Sequence, residues 1–205
     1  MEPAQTDFML DTICGGPHLA GESNKNREKY ARTLHHEVAT IGNCMSVEDK
    51  FPRHPEETIS FTEEDAKHVR YPHTDPLVVT VQIANMKVKR CLVDTGSSVD
   101  IIYKSSFEKM KLSVNDLKPY SQVIYGFTGE GLSPTGTMKL VVTTGDMPNH
   151  STVMTEFLIV DCSSAYNVVI GRPLLMALQA AISIWHLTMK FPTSVGIGCT
   201  RGDQR

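Results

Sequence analysis

An apolar strand that ends in Asp-Thr-Gly constrains this chain more than any other feature. The run is Cys-Leu-Val-Asp-Thr-Gly-Ser-Ser, residues 91–98. Leu92 and Val93 are expected to bury the approach strand, and Gly96 permits a tight turn that a side chain would obstruct. No other aspartate in the chain is followed by Thr-Gly or Ser-Gly. The chain therefore presents one such carboxylate, that of Asp94, on a turn at the end of a strand.

Length and charge predict one domain with two flanks. The chain has 205 residues, is 40% hydrophobic and carries a formal net charge of −3, which argues against a dedicated nucleic-acid binder. Residues 1–70 hold 8 basic and 13 acidic residues and have little apolar periodicity. We therefore expect a flexible linker over residues 1–70, a folded domain over residues 71–192 and a flexible tail over residues 193–205.

The cysteines and the apolar runs predict an intracellular, cytoplasmic protein. Five cysteines are present, an odd number without a CxxC pair, which is typical of reduced thiols. No basic start followed by an apolar run is visible, and no run of 18 apolar residues could span a membrane. No membrane partner is therefore expected.

Short strands dominate the pattern from Pro76 onward. Residues 77–83 alternate, and residues 86–93 return as a second strand with Val88, Arg90 and Leu92 on one side. Brief helices are expected after Thr62 and over 105–110, and the best helix candidate is 174–180, entered by Pro173. Further strands are expected over 99–103, 123–131, 136–143, 153–160, 167–171 and 182–191. This spacing predicts a mainly β, barrel-like domain with a short C-terminal helix.

Three blocks, at residues 92–97, 125–130 and 168–172, carry a family resemblance in their order. With them, residues 71–192 resemble the retropepsin family, specifically the protease segment of plant Gypsy-type retrotransposon gag-pol polyproteins. The resemblance implies a retropepsin-like (acid protease) closed β-barrel, active as a homodimer, that cleaves an extended polypeptide, the retroelement polyprotein. It implies catalytic residues Asp94, Thr95 and Gly96, substrate-binding residues Ser97, Tyr125, Gly126, Phe127, Thr128 and Gly129, and supporting residues Ile170, Gly171 and Arg172.

A single Asp94 per chain predicts that two copies form the site. Two carboxylates that meet at a two-fold axis cannot both ionise comfortably, so the pair holds one proton. The ionised member can take a proton from a water molecule, and the protonated member can donate to the scissile carbonyl oxygen. No metal and no cofactor are needed. The resemblance also implies that Thr95 hydrogen-bonds across the dimer axis.

Residues 125–131 predict a hairpin that covers the substrate as a flap. Its exposed backbone could pair with an extended peptide as an added strand. Glycines at 126, 129 and 131 would let it open and close, and Tyr125 and Phe127 would provide apolar walls.

One position departs from the family. Viral retropepsins often carry an acidic residue two positions after the catalytic glycine, where it pairs with the arginine after Ile-Gly. Ser98 stands there in this chain, and the nearest acid is Asp100. Arg172 is thus expected to pair with Asp100 or with nothing.

Two other functions fit the same residues. A retropepsin-fold domain that has lost proteolysis would serve in dimerisation or interaction and could still keep Asp94-Thr95-Gly96. A host protease recruited from the same fold would form a stable dimer at low concentration.

Two groups of possible metal ligands stand near the start of the chain: Cys14 with His18, and His35-His36 with Glu37. Neither group has the further ligands that a closed zinc site needs, so no metal site is expected.

Overall fold

The computed structural model describes residues 58–126 and 129–204. The part of the expected linker at residues 1–57 lies outside this range, as do Phe127, Thr128 and the metal-ligand candidates at 14–37. Among the helices of the described residues, none has the length and apolar character needed to cross a membrane.

Eleven strands and a few short helices make up the described residues. The strands are β1 (Val78–Ile83), β2 (Met86–Val93), β3 (Asp100–Tyr103), β4 (Ile124–Tyr125), β5 (Gly131–Leu132), β6 (Gly136–Asp146), β7 (Asn149–Val160), β8 (Val168–Ile170), β9 (Ala181–Ser183), β10 (Thr188–Thr193) and β11 (Gly196–Arg201). The α-helices are α1 (Glu63–Ala66), α2 (Lys104–Lys109) and α3 (Arg172–Ala177), and Val114–Asp116 forms a 3₁₀ turn.

Six strands close into a barrel in the order β1-β2-β8-β3-β7-β6. The hairpins β1–β2 and β6–β7 are antiparallel, whereas β8 runs parallel to β2 and β3 runs parallel to β7. The predicted fold class, a mainly β closed barrel with few helices, is confirmed. The short C-terminal helix is present as α3, with Pro173 in its first turn, and it ends three residues earlier than expected.

The predicted face of the second strand is wrong because β2 contains an irregularity. Arg90 has a φ of 59°, and the β1–β2 register shifts between Val79 and Val81. An extra residue reverses the inward and outward alternation beyond it. The buried side chains of β2 are therefore those of Val88, Cys91 and Val93. Burial raises the pKa of the Cys91 thiol to about 12, so this cysteine packs as a small protonated hydrophobe.

The expected C-terminal tail forms a strand over most of its length. β11 pairs with β10 through six residue pairs and completes the sheet β11-β10-β9. A Cβ at Gly198 would lie 2.5 Å from the Asn149 carbonyl oxygen, so glycine here serves close packing. The Thr144 and Thr200 hydroxyls, 2.6 Å apart, also tie β11 to β6. The expected single strand over 182–191 is two strands, β9 and β10, on either side of a turn.

The last part of the expected linker packs on this same sheet. Thr62 and Asp65 form the capping box of α1, as the acidic first turn predicts. Asp65 accepts a 2.8 Å hydrogen bond from Lys190 Nζ on β10, and that ammonium lies 5.2 Å from the centre of the Phe61 ring. Residues 58–70 therefore belong to the folded domain.

Candidate active site

The Asp94 loop is a tight turn anchored by its own backbone and by β8. The Asp94 amide donates to the Ile170 carbonyl at 2.9 Å, and the Ser97 amide donates to the Asp94 carbonyl at 3.2 Å. The Gly96 amide donates to Asp94 Oδ1 at 2.8 Å. Among the described residues, no hydrogen bond engages Asp94 Oδ2. The loop thus offers one carboxylate oxygen, at a half-buried position, to a further partner.

Gly96 is required by a close approach. A Cβ at this position would lie 3.1 Å from Asp94 Oδ1, which is the oxygen that the Gly96 amide binds. The Ser97 hydroxyl donates to the Val99 carbonyl at 2.7 Å, so it stabilises the end of the loop. The structure therefore groups Asp94, Thr95, Gly96 and Ser97 on one turn, with Thr95 and Gly96 exposed.

Arg172 holds the loop from the start of α3. Its Nη1 donates to the Thr95 carbonyl at 3.2 Å and to the Gly96 carbonyl at 2.9 Å, and its backbone amide donates to the Ser97 carbonyl at 3.0 Å. Both expectations for Arg172, a pair with Asp100 or no partner at all, are wrong, because its partners are backbone carbonyls of the Asp94 loop. Both carbonyls are reached from the same nitrogen, Nη1, which carries two N–H donors in the plane of the guanidinium.

Gly171 lies where the backbones of β8 and of the Asp94 loop meet most closely. A Cβ on Gly171 would fall 2.1 Å from the Val99 carbonyl oxygen and 3.1 Å from the Ser97 carbonyl oxygen. Any other residue would push the two segments apart. Ile170 is fully buried on the same strand. Ile170, Gly171 and Arg172 thus support the Asp94 loop through the backbone, through close packing and through a side chain respectively.

Asp100 is a buried carboxylate that sequence reasoning did not place in the site. It is fully buried at the start of β3, where Oδ1 accepts from the Gly171 amide at 2.7 Å and Oδ2 accepts from the Thr155 hydroxyl at 2.7 Å. Burial raises its pKa to about 6, and the hydrogen bonds from Thr155 and from the Gly171 and Leu174 amides oppose this shift. The available signal was an acidic residue inside an otherwise apolar strand.

The hairpin at residues 124–132 lies between the Asp94 block and the Ile-Gly block in sequence. β4 and β5 pair through Ile124 with Leu132 and through Tyr125 with Gly131. Tyr125 is 53% exposed, and no atom lies within 4 Å of a Cβ built on Gly126. Gly129 adopts a φ of 80° and donates to the Gly126 carbonyl at 3.0 Å. Phe127 and Thr128 lie outside the described residues.

An open apolar depression of about 440 Å³ adjoins the Asp94 loop. Thr95 and Arg172 form its polar edge, and Leu175, Met176 and Ile182 form its apolar wall. Met176 is 76% exposed, and next to this wall in sequence Ile184 and Trp185 are exposed as well. β9 pairs only with β10 among the described residues, so its other edge is open. Ile184 and Trp185 line a second depression, together with Tyr71, Pro72 and His73. Exposed apolar surface is typical of protein contacts.

Within residues 58–126 and 129–204, no group of three or more His, Cys, Asp or Glu side chains is arranged to hold a metal ion. The described chemistry at the site is that of one carboxylate with a free oxygen, fixed by backbone donors. Such a group can accept or donate a proton at a stated position, and a second carboxylate would be needed for both roles at once.

Comparisons with known proteins give structural similarities alone. A scan against protein-family models finds no match, and a search of curated proteins also finds none. Among solved structures, the chain is similar to the retroviral protease-like domain of Ddi1 from Leishmania major, with 17% identity, a TM-score of 0.47, and coverage of 64% of this chain and 96% of that chain.

Two further structures are of the same kind. One is EIAV protease complexed with the inhibitor HBY-793, with 20% identity, a TM-score of 0.39, and coverage of 57% of this chain and 100% of that chain. The other is a retropepsin-like aspartic protease from Rickettsia conorii, with 17% identity, a TM-score of 0.40, and coverage of 60% and 80%.

Proposed function

We propose that two copies of this chain form an aspartic endopeptidase in which each copy contributes one Asp94. The observation that supports this most is the Asp94 turn itself: Oδ1 is held by the Gly96 amide at 2.8 Å, while Oδ2 is available. A second Asp94 would complete a carboxylate pair that shares one proton. The ionised oxygen then takes a proton from the attacking water, and the protonated one donates to the carbonyl oxygen of the peptide.

The loop contributes position, and the hairpin contributes substrate contact. Arg172 and the close approach at Gly171 hold the turn in one geometry, which proximity-based catalysis requires. Ser97, Tyr125, Gly126, Phe127, Thr128 and Gly129 are proposed to bind the extended peptide through backbone pairing and apolar contact. A polypeptide is the substrate class, and the plant Gypsy-type polyprotein within the cytoplasm is the particular substrate that we propose.

The second copy is proposed to dock on the face that carries the apolar depression. That depression begins at Thr95, so its surface is continuous with the Asp94 loop. Met176 and Ile182 would be covered in the dimer, and the open edge of β9 would find backbone partners. Thr95 would then face its counterpart across the two-fold axis.

The test is cleavage of an unfolded protein by the full chain at several concentrations, with Asp94→Asn as the control. We expect a rate that rises more steeply than linearly with protein concentration, and no cleavage by the folded variant. A mixing series is sharper, because Asp94→Asn chains dimerise with native chains. If one Asp94 from each copy is needed, activity follows the square of the native fraction. A linear dependence on that fraction, or cleavage by Asp94→Asn, would contradict the proposal.

A further inference from the structure

We propose that Asp100 is a positioning residue for the Asp94 loop, through a buried carboxyl that ties the Gly171 amide to β3 and β7. The inference deepens the proposed function, since the loop in question presents Asp94. Asp100 does not touch the substrate or the reacting atoms. It acts through the backbone of residues 170–172.

The Asp100 side chain is buried, and both of its carboxyl oxygens are hydrogen-bonded. The residue is fully buried, and each carboxyl oxygen has its own donor at 2.7 Å: the Gly171 amide for Oδ1 and the Thr155 hydroxyl for Oδ2. Thr155 is itself buried. A carboxyl group in a barrel interior is costly unless it is hydrogen-bonded in this way. An apolar residue here would leave the Gly171 amide and the buried Thr155 hydroxyl without this acceptor, so the carboxyl is what satisfies both donors.

The Gly171 amide is the point at which this carboxyl reaches the Asp94 loop. On one side of it the Ile170 carbonyl accepts from the Asp94 amide at 2.9 Å. On the other side the Arg172 amide donates to the Ser97 carbonyl, and its guanidinium reaches the Gly96 carbonyl at 2.9 Å. A rotation of the peptide at 170–171 would therefore move the partners of three loop residues. Asp100 is the side chain that prevents this rotation.

The charge of Asp100 controls how firmly the backbone peptide group between Ile170 and Gly171 is held. The ionised carboxylate accepts more strongly from an amide than the neutral acid does. Burial raises the pKa to about 6 against the hydrogen bonds from Thr155, Gly171 and Leu174.

Charged groups on the neighbouring elements are directed elsewhere. The Arg172 guanidinium lies on the loop carbonyls, and Glu156 on β7 accepts from the Thr137 hydroxyl at 3.3 Å. β8 presents only buried apolar side chains, Tyr103 follows three residues later on β3, and Asp94 is bound by the Gly96 amide. The loop should thus become more rigid as the pH rises through about 6.

Kinetics of the full chain on one peptide substrate provide the first test. Asp100→Asn keeps an acceptor for the Gly171 amide and can donate to Thr155, so we expect a kcat within about threefold of native at low pH. Asp100→Leu removes the acceptor, and we expect a folded dimer whose kcat falls about 100-fold with little change in KM. Thr144→Val, which breaks the buried Thr144–Thr200 hydrogen bond far from the loop, is the matched control and should keep native kcat.

The pH profile separates positioning from a purely structural role. The ratio of native kcat to Asp100→Asn kcat cancels any pH dependence that the two proteins share. We expect this ratio to rise as the pH increases through about 6. A flat ratio, or native kcat in folded Asp100→Leu, would overturn the proposal.

An NMR titration tests the inference without any activity. The sample is the full chain with Asp94→Asn, labelled with ¹⁵N-glycine. This variant removes the carboxylate of the loop itself, so that it cannot shift the glycine signals. We expect the amide signals of Gly171 and Gly96 to shift together as the pH passes through about 6, and to stay fixed in Asp94→Asn/Asp100→Asn. If neither signal follows Asp100, the positioning role is wrong, whether or not the chain cleaves peptides. If both follow it and native protein never cleaves, the proposed function fails and the positioning role stands.

Discussion

Arg172 shows how one side chain can hold the backbone of the Asp94 loop. Its guanidinium binds the carbonyls of Thr95 and Gly96, and its amide binds the carbonyl of Ser97. Three consecutive residues of the loop are therefore fixed from α3. The pairing with an acid, which was one of the two expectations for Arg172, is replaced by contacts to the backbone.

Arg172→Lys should lower activity while the fold is kept. The planar guanidinium places Nη1 on both carbonyls, whereas the shorter and more flexible lysine stem would not hold an ammonium at that position. We expect kcat to fall about tenfold, which corresponds to about 1.4 kcal/mol of transition-state stabilisation. Arg201→Lys, at an exposed position at the end of β11, is the matched control. Equal kcat values for the two variants in a peptide-cleavage assay would contradict a role for the Arg172 guanidinium in holding the loop.

The stability of the protein should also depend on Asp100. Its pKa is raised from 3.8 to about 6 on folding, so the native state holds the proton more tightly than the unfolded chain. The stabilisation is present below pH 3.8 and is lost as the pH rises through about 6, an effect of about 3 kcal/mol in the free energy of unfolding. Urea titrations at pH 3.5 and pH 7 should show this loss for native protein and not for Asp100→Asn. A parallel pH dependence in both proteins would refute it.

Residue patterns predicted the Asp94 turn but not its buried support. Gly96 and the apolar strand end at residues 92–93 predict a tight turn after a strand, and the structure contains this turn. The role of Asp100 is set by Thr155, which is 55 positions away, and by the Gly171 amide, 71 positions away. No local pattern encodes contacts at that separation.

The C-terminal sheet is the element that most changes the interpretation of the sequence. Gly198 lies in the expected tail, yet it lets β11 lie against Asn149 and Phe191. Glycine is compatible with a flexible segment and with a tightly packed strand, and only the packing partner distinguishes the two. The strands β1 to β8 were predictable because alternation and apolar runs repeat within each of them; the face of β2 was not, because Arg90 interrupts its alternation.

The ion pair between α1 and β10 should be a measurable anchor. Asp65 is buried, which raises its pKa, but the hydrogen bonds and charge of Lys190 and the Thr62 contacts lower it further, so that the net direction is downward. Lys190→Met should lower the free energy of unfolding by about 2 kcal/mol at pH 7. The stabilising effect of the Asp65–Lys190 ion pair is present above the ordinary pKa of an aspartate. It is lost as the pH falls through the lowered pKa of Asp65.

Lys87→Met, at an exposed site on β2, is the control for this variant. Chemical denaturation at pH 7 and at pH 2.5 should show a smaller difference between Lys190→Met and native protein at the lower pH. A difference that does not change with pH would exclude Asp65 as the partner that matters.

The whole molecule is proposed to act as a dimer, and its surface offers a matched pair of positions to test this. Met176 on α3 is 76% exposed beside the depression, whereas Met154 on β7 is 63% exposed on the barrel. Met176→Glu should weaken dimerisation at least tenfold, because a charge would be buried in the contact. Met154→Glu should leave dimerisation unchanged. Sedimentation velocity over a concentration series measures both, and equal dissociation constants would place the contact elsewhere.

Gln204 brings two distant points of the chain together. Its side-chain oxygen accepts from the Arg70 amide at 2.7 Å, and its side-chain nitrogen donates to the Arg70 carbonyl and to Asp75. The backbone at Arg70, between α1 and β1, thus lies beside Gln204, which follows β11. A force that pulls residue 70 away from residue 204 would therefore act first on these three hydrogen bonds. The strands of the barrel would bear that force only after the hydrogen bonds had broken.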